Sequence, residues 1–249
     1  LDGMGYFDNS YPQVWVADVA SHEAKALTNG PWACGAPAWS PDGDSLLFVS
    51  NRRDDSDLMG MYPDLWIVPT AGGDLRRIPA PDGPKSDPVF SPNGRWIAYV
   101  GHTDPEDAWG GRNERVLVLP AEGAEEAQDL TGASDLAVGY LTLSDMHDGG
   151  GDGMVQWSPD GACLYFPISS RGETRLCAVP ANGGEITALT PAEHDLGGFS
   201  LSADGTRAAI TLATAVAPHE VYVLSTLTGQ SCGISHANDD LMAEVALQM

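Results

Sequence analysis

The sequence predicts an all-β chain, a β-propeller of four-stranded antiparallel blades, from three observations. A turn motif recurs four times, as Ser40-Pro41-Asp42-Gly43, Ser91-Pro92-Asn93-Gly94, Ser158-Pro159-Asp160-Gly161 and Ser202-Ala203-Asp204-Gly205. A second hairpin pattern is interleaved with it: an apolar run, a Gly or polar turn, then a strand mostly ending in Leu-Thr or Ile. The centres of those runs, Trp15, Trp66, Leu117, Cys177 and Tyr222, are spaced 51, 51, 60 and 45 residues apart. Two hairpins per repeat make one four-stranded sheet. Such a sheet cannot bury both faces alone, and radial stacking of copies is the propeller solution.

Each element follows from local chemistry. In the turn, Ser accepts a backbone N–H, Pro presets φ at the second place, and Gly takes the left-handed conformation at the fourth. Asn93 serves as well as Asp, and Ala203 loses only the preset φ. The flanking runs, Trp39 before the first turn and Leu46 to Val49 after it, complete a hairpin. Strands apolar at successive positions, such as Ile97 to Val100, fit blades covered on both faces.

The 249 residues read as one propeller domain with blades at about 1–30 (partial), 36–80, 87–131, 154–190 and 197–235. No turn of the first kind precedes the first unit, whose Gly3-Met4-Gly5-Tyr6-Phe7 reads as the remnant of a second strand. The tail 236–249 runs past the last blade. Either one end donates a strand to the other and closes a five-bladed ring, or the chain is part of a larger propeller. The turns within hairpins fall on one face and are short. The loops 51–63, 102–114 and 132–153 fall on the other and are long, so function is expected there.

The formal net charge is −23, from 35 acidic and 12 basic residues, with Lys25 and Lys85 the only lysines. That excludes nucleic acid, whose phosphates need a basic stripe. An acidic solubility surface and adaptation to high salt are the two readings. No apolar run reaches about 18 residues, so no membrane partner is expected, and the cytoplasm is the favoured compartment. Cys34, Cys163, Cys177 and Cys232 form no metal-binding spacing and read as reduced thiols, although Cys163 and Cys177 lie on consecutive strands.

Several motifs invite a chemical reading. Gly229-Gln230-Ser231-Cys232-Gly233 matches the nucleophile elbow of hydrolases, which needs a strand-to-helix turn and a later Asp and His. Here it aligns with a hairpin turn and 16 residues remain, so Ser231 is read as a false match and no catalytic residue is expected. Asp145, His147, Asp148 and Asp152 supply oxygens, yet their spacing fits no calcium loop, and neither a metal nor a cofactor is expected. The acidic loop at 52–60 reads as a solvated surface loop. His102, Trp109 and Arg112 belong to a long loop, where Trp and Arg suit a partner or a peptide carboxylate. Arg52 and Arg171 recur after the second strand of their hairpins. They read as structural ion pairs, with Asp64 for Arg52, or as a substrate clamp.

The pattern P-x-W-S-P-D-G through D-L-W-x-V-x-x-x-G-G closely resembles the propeller of prolyl oligopeptidase family serine peptidases, the acylaminoacyl-peptidase and dipeptidyl-aminopeptidase branch especially. The opening 1–32 and the exit 238–247 resemble the flanking segments of that propeller, and TolB-like propellers share the turn motif. The resemblance implies a noncatalytic propeller that gates short peptides into a separate α/β-hydrolase domain, which is absent from these 249 residues. The alternative is a free-standing TolB-like module that binds proteins. A propeller lyase with a metal in its channel is disfavoured, because no His cluster appears.

Overall fold

The computed structural model describes residues 10–54, 56, 62–107, 111–142 and 154–245. Two compact units are distinguished, Leu1–Arg112 with Leu117–Gln128, and Asn113–Val116 with Asp129–Met249. The first unit opens on a two-stranded hairpin, β1 (Trp15–Ala17) and β2 (Ala24–Ala26). A four-stranded antiparallel sheet follows in simple order: β3 (Cys34–Trp39), β4 (Ser45–Ser50), β5 (Asp64–Pro69) and β6 (Arg76–Ile78). The next sheet repeats it with β7 (Lys85–Phe90), β8 (Trp96–Gly101), β9 (Arg115–Pro120) and β10 (Gln128–Asp129).

The second unit holds β11 (Ala137–Val138), β12 (Gln156–Trp157), β13 (Cys163–Ser170), β14 (Glu173–Pro180) and β15 (Thr187–Ala188). It continues with β16 (Asp195–Leu201), β17 (Arg207–Thr214), β18 (Ala217–Ser225) and β19 (Ser231–Gly233). Each set of four repeats the meander, and one parallel bridge, Thr174 to Asp195, joins them into a nine-stranded sheet. The helix α1 (Asp239–Glu244) ends the described chain. Among the described residues no helix is long and apolar enough to cross a membrane.

The recurring turn closes as its letters require. Ser40 Oγ donates to Asp42 Oδ1 at 2.6 Å and accepts the Ser45 N–H at 2.9 Å, while Asp42 Oδ1 accepts the Asp44 N–H at 3.0 Å. Gly43 supplies φ +76°. Ser158 with Asp160 and Ser202 with Asp204 repeat these bonds, and Asn93 accepts in Asp's place. The Leu-Thr endings have an equally local cause. The buried hydroxyls of Thr28, Thr131 and Thr190 accept the N–H groups of Val14, Val116 and Leu176 across the outer hairpin. Ser235 does the same for Val221.

Both faces of the middle strands are apolar, as expected. On β4, Leu47 packs with Leu65, Ile97 and Tyr99, while Leu46 and Phe48 pack with Val14, Leu27 and Val68. Phe48, Tyr99 and Phe166 are completely buried. In the second unit Leu176, Leu196, Phe199, Ile210 and Leu224 share one cluster. Burying each such side chain contributes about 1.5–3 kcal/mol.

Two features depart from the expectation. The first strand of three sets, β3, β7 and β16, slips register, between Gly35 and Ala38, Ser86 and Val89, and Leu196 and Gly198. Ala36 and Asp87 enter the left-handed region there, at φ +47° each, so non-glycine residues hold bulge positions that composition does not reveal. In addition, the loops opposite the recurring turns are not uniformly long. β13 and β14 join through Arg171 and Gly172 alone, at φ +54° and +83°, the positive φ at both places that a type I′ turn needs.

The four cysteines are free, as read. Cys163 pairs in register with Pro180 and Cys177 with Phe166. Burial pushes the Cys177 thiol up to about 11. The Gly3–Phe7 stretch lies outside the described residues.

Candidate functional site

The connection from β4 to β5 brings together side chains that the sequence scatters. Arg52 follows β4 by two residues. Its guanidinium carbon lies 5.2 Å from the centre of the Trp32 ring and 5.4 Å from that of Trp66, so both indoles flank the cation. Contacts of this kind contribute about 0.5–2 kcal/mol each. Trp66 is held by its Nε1–H, which donates to the Ser50 carbonyl at 3.0 Å. Trp32 finds room because residue 30 is glycine: a Cβ at Gly30 would come within 2.7 Å of the Trp32 ring. Arg52 Nη2 donates to Cys34 Sγ at 3.5 Å, a weak acceptor, and its buried Nε has no partner among the described residues.

A second group lies in the same unit. Asp64, buried at the start of β5, accepts Arg77 Nη2 at 2.9 Å and lies 3.9 Å from Arg53 Nη2. Arg53 also reaches Asp82 at 3.4 Å. Lys85 is buried and donates to the Gly83 carbonyl at 2.8 Å. Burial pushes its amine down to about 8, against the upward pull of Asp64 and Asp82 and with the help of Arg53 and Arg77. Beside them is a cavity of about 810 Å³ lined by Arg77, Pro79, Ala80, Pro81, Asp82, Thr103 and Glu125. Arg52, Arg53, Arg77 and Lys85 are four of only 12 basic residues, gathered in a chain of net charge −23.

The residues singled out from sequence lie as follows. Arg52 does not pair with Asp64; Arg77 and Arg53 do, because Arg52 is turned between the indoles. Arg171 sits exposed in its two-residue turn. Arg112 is exposed and its Nε meets Asp104 Oδ2 at 2.5 Å. His102 is buried and accepts the Asp104 N–H. Trp109 lies outside the described residues, as do Asp145, His147, Asp148, Asp152 and much of the 52–60 loop. Ser231 is exposed in the edge strand β19, and the chain there is extended. Among the described residues no cluster of three metal-ligating side chains occurs.

Sequence reading missed Trp32 beside Arg52, and Arg53, Arg77 and Lys85 around Asp64. The available signal was compositional: five of the 12 basic residues, Arg52, Arg53, Arg76, Arg77 and Lys85, fall within positions 52–85.

Comparison places this geometry in a known architecture. No family model matches the chain. TolB from Acinetobacter baumannii superposes with a TM-score of 0.62 at 17% identity, over 90% of this chain and 48% of that one. The fold is a TolB-like β-propeller. A puromycin-hydrolyzing peptidase of Mycobacterium tuberculosis matches the propeller equally well, with a TM-score of 0.64 at 18% identity over 90% of this chain and 34% of its own. In sequence, the propeller is 26% identical over 191 residues to dipeptidyl-peptidase 5 of Porphyromonas gingivalis. That alignment covers 75% of this chain and 25% of the relative, so the propeller spans about a quarter of that peptidase. These relatives bear out the resemblance to prolyl oligopeptidase-type peptidases.

Proposed function

We propose that this chain is the noncatalytic propeller portion of a prolyl oligopeptidase-type serine peptidase, and that it controls which peptides reach a separate α/β-hydrolase domain. The 191-residue alignment with a dipeptidyl-peptidase carries the reading. The loop connections of the first unit, with Arg52 between its indoles and Arg112 on the surface, supply the side chains that would meet peptide or hydrolase domain. Trp and Arg are the types that most often anchor such contacts. Ser231 has no part in the chemistry, since an extended edge strand does not present a nucleophile on a strand-to-helix turn.

The test uses chromogenic acyl-peptides of increasing length. The 249-residue chain leaves them intact, with or without Ser231→Ala, and the full gene product cleaves the short ones. Arg112→Ala in that product relaxes the length limit while the blades stay folded. Hydrolysis by the isolated chain that disappears in Ser231→Ala overturns the reading. A gene with no hydrolase domain beyond residue 249 turns it to the second one, a protein-binding module, with which the TolB-like fold is compatible.

A further inference from the structure

The geometry points to a carboxylate-binding site at Arg52, and we propose that it takes the carboxylate of a short peptide. The proposal rests on the reading of the chain as a peptide-handling propeller. The arginines of this protein divide cleanly. Arg53, Arg77, Arg112 and Arg115 are ion-paired, and Arg175 is held on the Thr190 carbonyl through Nε and Nη2. Arg76, Arg95, Arg171 and Arg207 are exposed to water. Arg52 is neither. It is half-buried, its Nε is fully covered, and among the described residues it forms no ion pair, its one hydrogen bond going to a cysteine sulfur.

A guanidinium removed from water keeps a strong demand for an anion. The two indoles fix the plane of the fork without satisfying its edge. They therefore preorganise it for a planar, bidentate acceptor, which a carboxylate is and which costs little further ordering to bind. Cys34 is a weak acceptor, and a carboxylate oxygen would be the stronger partner for the guanidinium. The site sits at the base of the β4–β5 connection, at the opposite end of the sheet from the short recurring turns.

Calorimetry at low salt on the 249-residue chain tests this with three probes: Ala-Ala-Ala, its C-terminal amide, and acetyl-Ala-Glu-Ala-amide. The first is expected to bind and the amide to bind about tenfold or more weaker, the scale of one charge-assisted pair. The third tells a terminal from a side-chain carboxylate; binding of either kind that depends on Arg52 supports the site. Arg52→Met is expected to weaken binding about tenfold, and Arg171→Met to leave it unchanged. If Arg52→Met does not fold, Arg52→Lys keeps the charge but loses the fork, and is expected to bind about fivefold weaker. Equal binding of acid and amide overturns the proposal. So does wild-type affinity in Arg52→Met or Arg52→Lys, or a loss that follows Arg53→Met instead. Each of those results leaves the peptidase reading standing, because no hydrolysis is measured.

Discussion

In the last recurring turn a single carboxylate does three tasks at once. Asp204 accepts the Ser202 hydroxyl first of all, then the N–H and the hydroxyl of Thr206, and these bonds pull its pKa down to about 2 from an ordinary value of 3.8. Asp42 and Asp160 are lowered in the same way. Because the folded value lies below the unfolded one, the ionised turn stabilises the fold fully above about pH 4. That contribution disappears as pH falls toward 2. Asp204→Asn, the arrangement already present at Asn93, removes this proton-linked part. Denaturant midpoints measured from pH 5 to pH 2 should fall less steeply in the variant than in the parent. Parallel curves would show that the turn carboxylate is not linked to folding. The parent retains other acid-sensitive groups, Glu220 among them, whose carboxylate is pulled to about 2 by the Ser235 hydroxyl and by the backbone and side chain around Asn238.

At the level of elements, the closest approaches lie where one blade hands the chain to the next. Gly83 has φ +117° and a Cβ there would stand 2.2 Å from the His102 carbonyl oxygen. Gly101, with φ +154°, faces the Pro84 oxygen at 2.0 Å in the same sense. Lys85, paired with Gly101 in the sheet, donates back to Gly83. Gly83→Ala should therefore destabilise the first unit by about 1–3 kcal/mol from the backbone conformation alone, and by more from the clash. Urea unfolding followed by tryptophan fluorescence reads the loss; an unchanged midpoint would mean that the crossing relaxes freely. The strands and turns were legible in the sequence because their causes are local: a serine, an Asx and a glycine within a few residues, and a threonine one hairpin away. The guanidinium clamp was not. Trp32, in the bend before β3, and Trp66, on β5, flank Arg52 from positions far apart in sequence, and Arg52 looked the same in sequence as Arg171. What separates those two arginines is loop length, since a two-residue turn leaves Arg171 in water.

For the whole molecule, charge is the quantity that distinguishes this chain. At a net charge of −23 most surface pairs repel, and salt near 1 M shortens the screening length to about 3 Å. The melting temperature should rise between dilute buffer and 1 M sodium chloride; a flat or falling curve would show that self-repulsion does not limit stability. The other whole-molecule property lies in how self-sufficient the recurring turn is. The bonds that close it run among Ser40, Asp42, Gly43, Asp44 and Ser45, and Thr70 beyond β5 only adds donors to the Gly43 and Asp44 carbonyls from outside. A gene segment copied with those few codons arrives able to shut its own hairpin wherever it lands. Duplication can then lengthen such a chain blade by blade, and the interior contacts of each new copy are free to diverge afterwards.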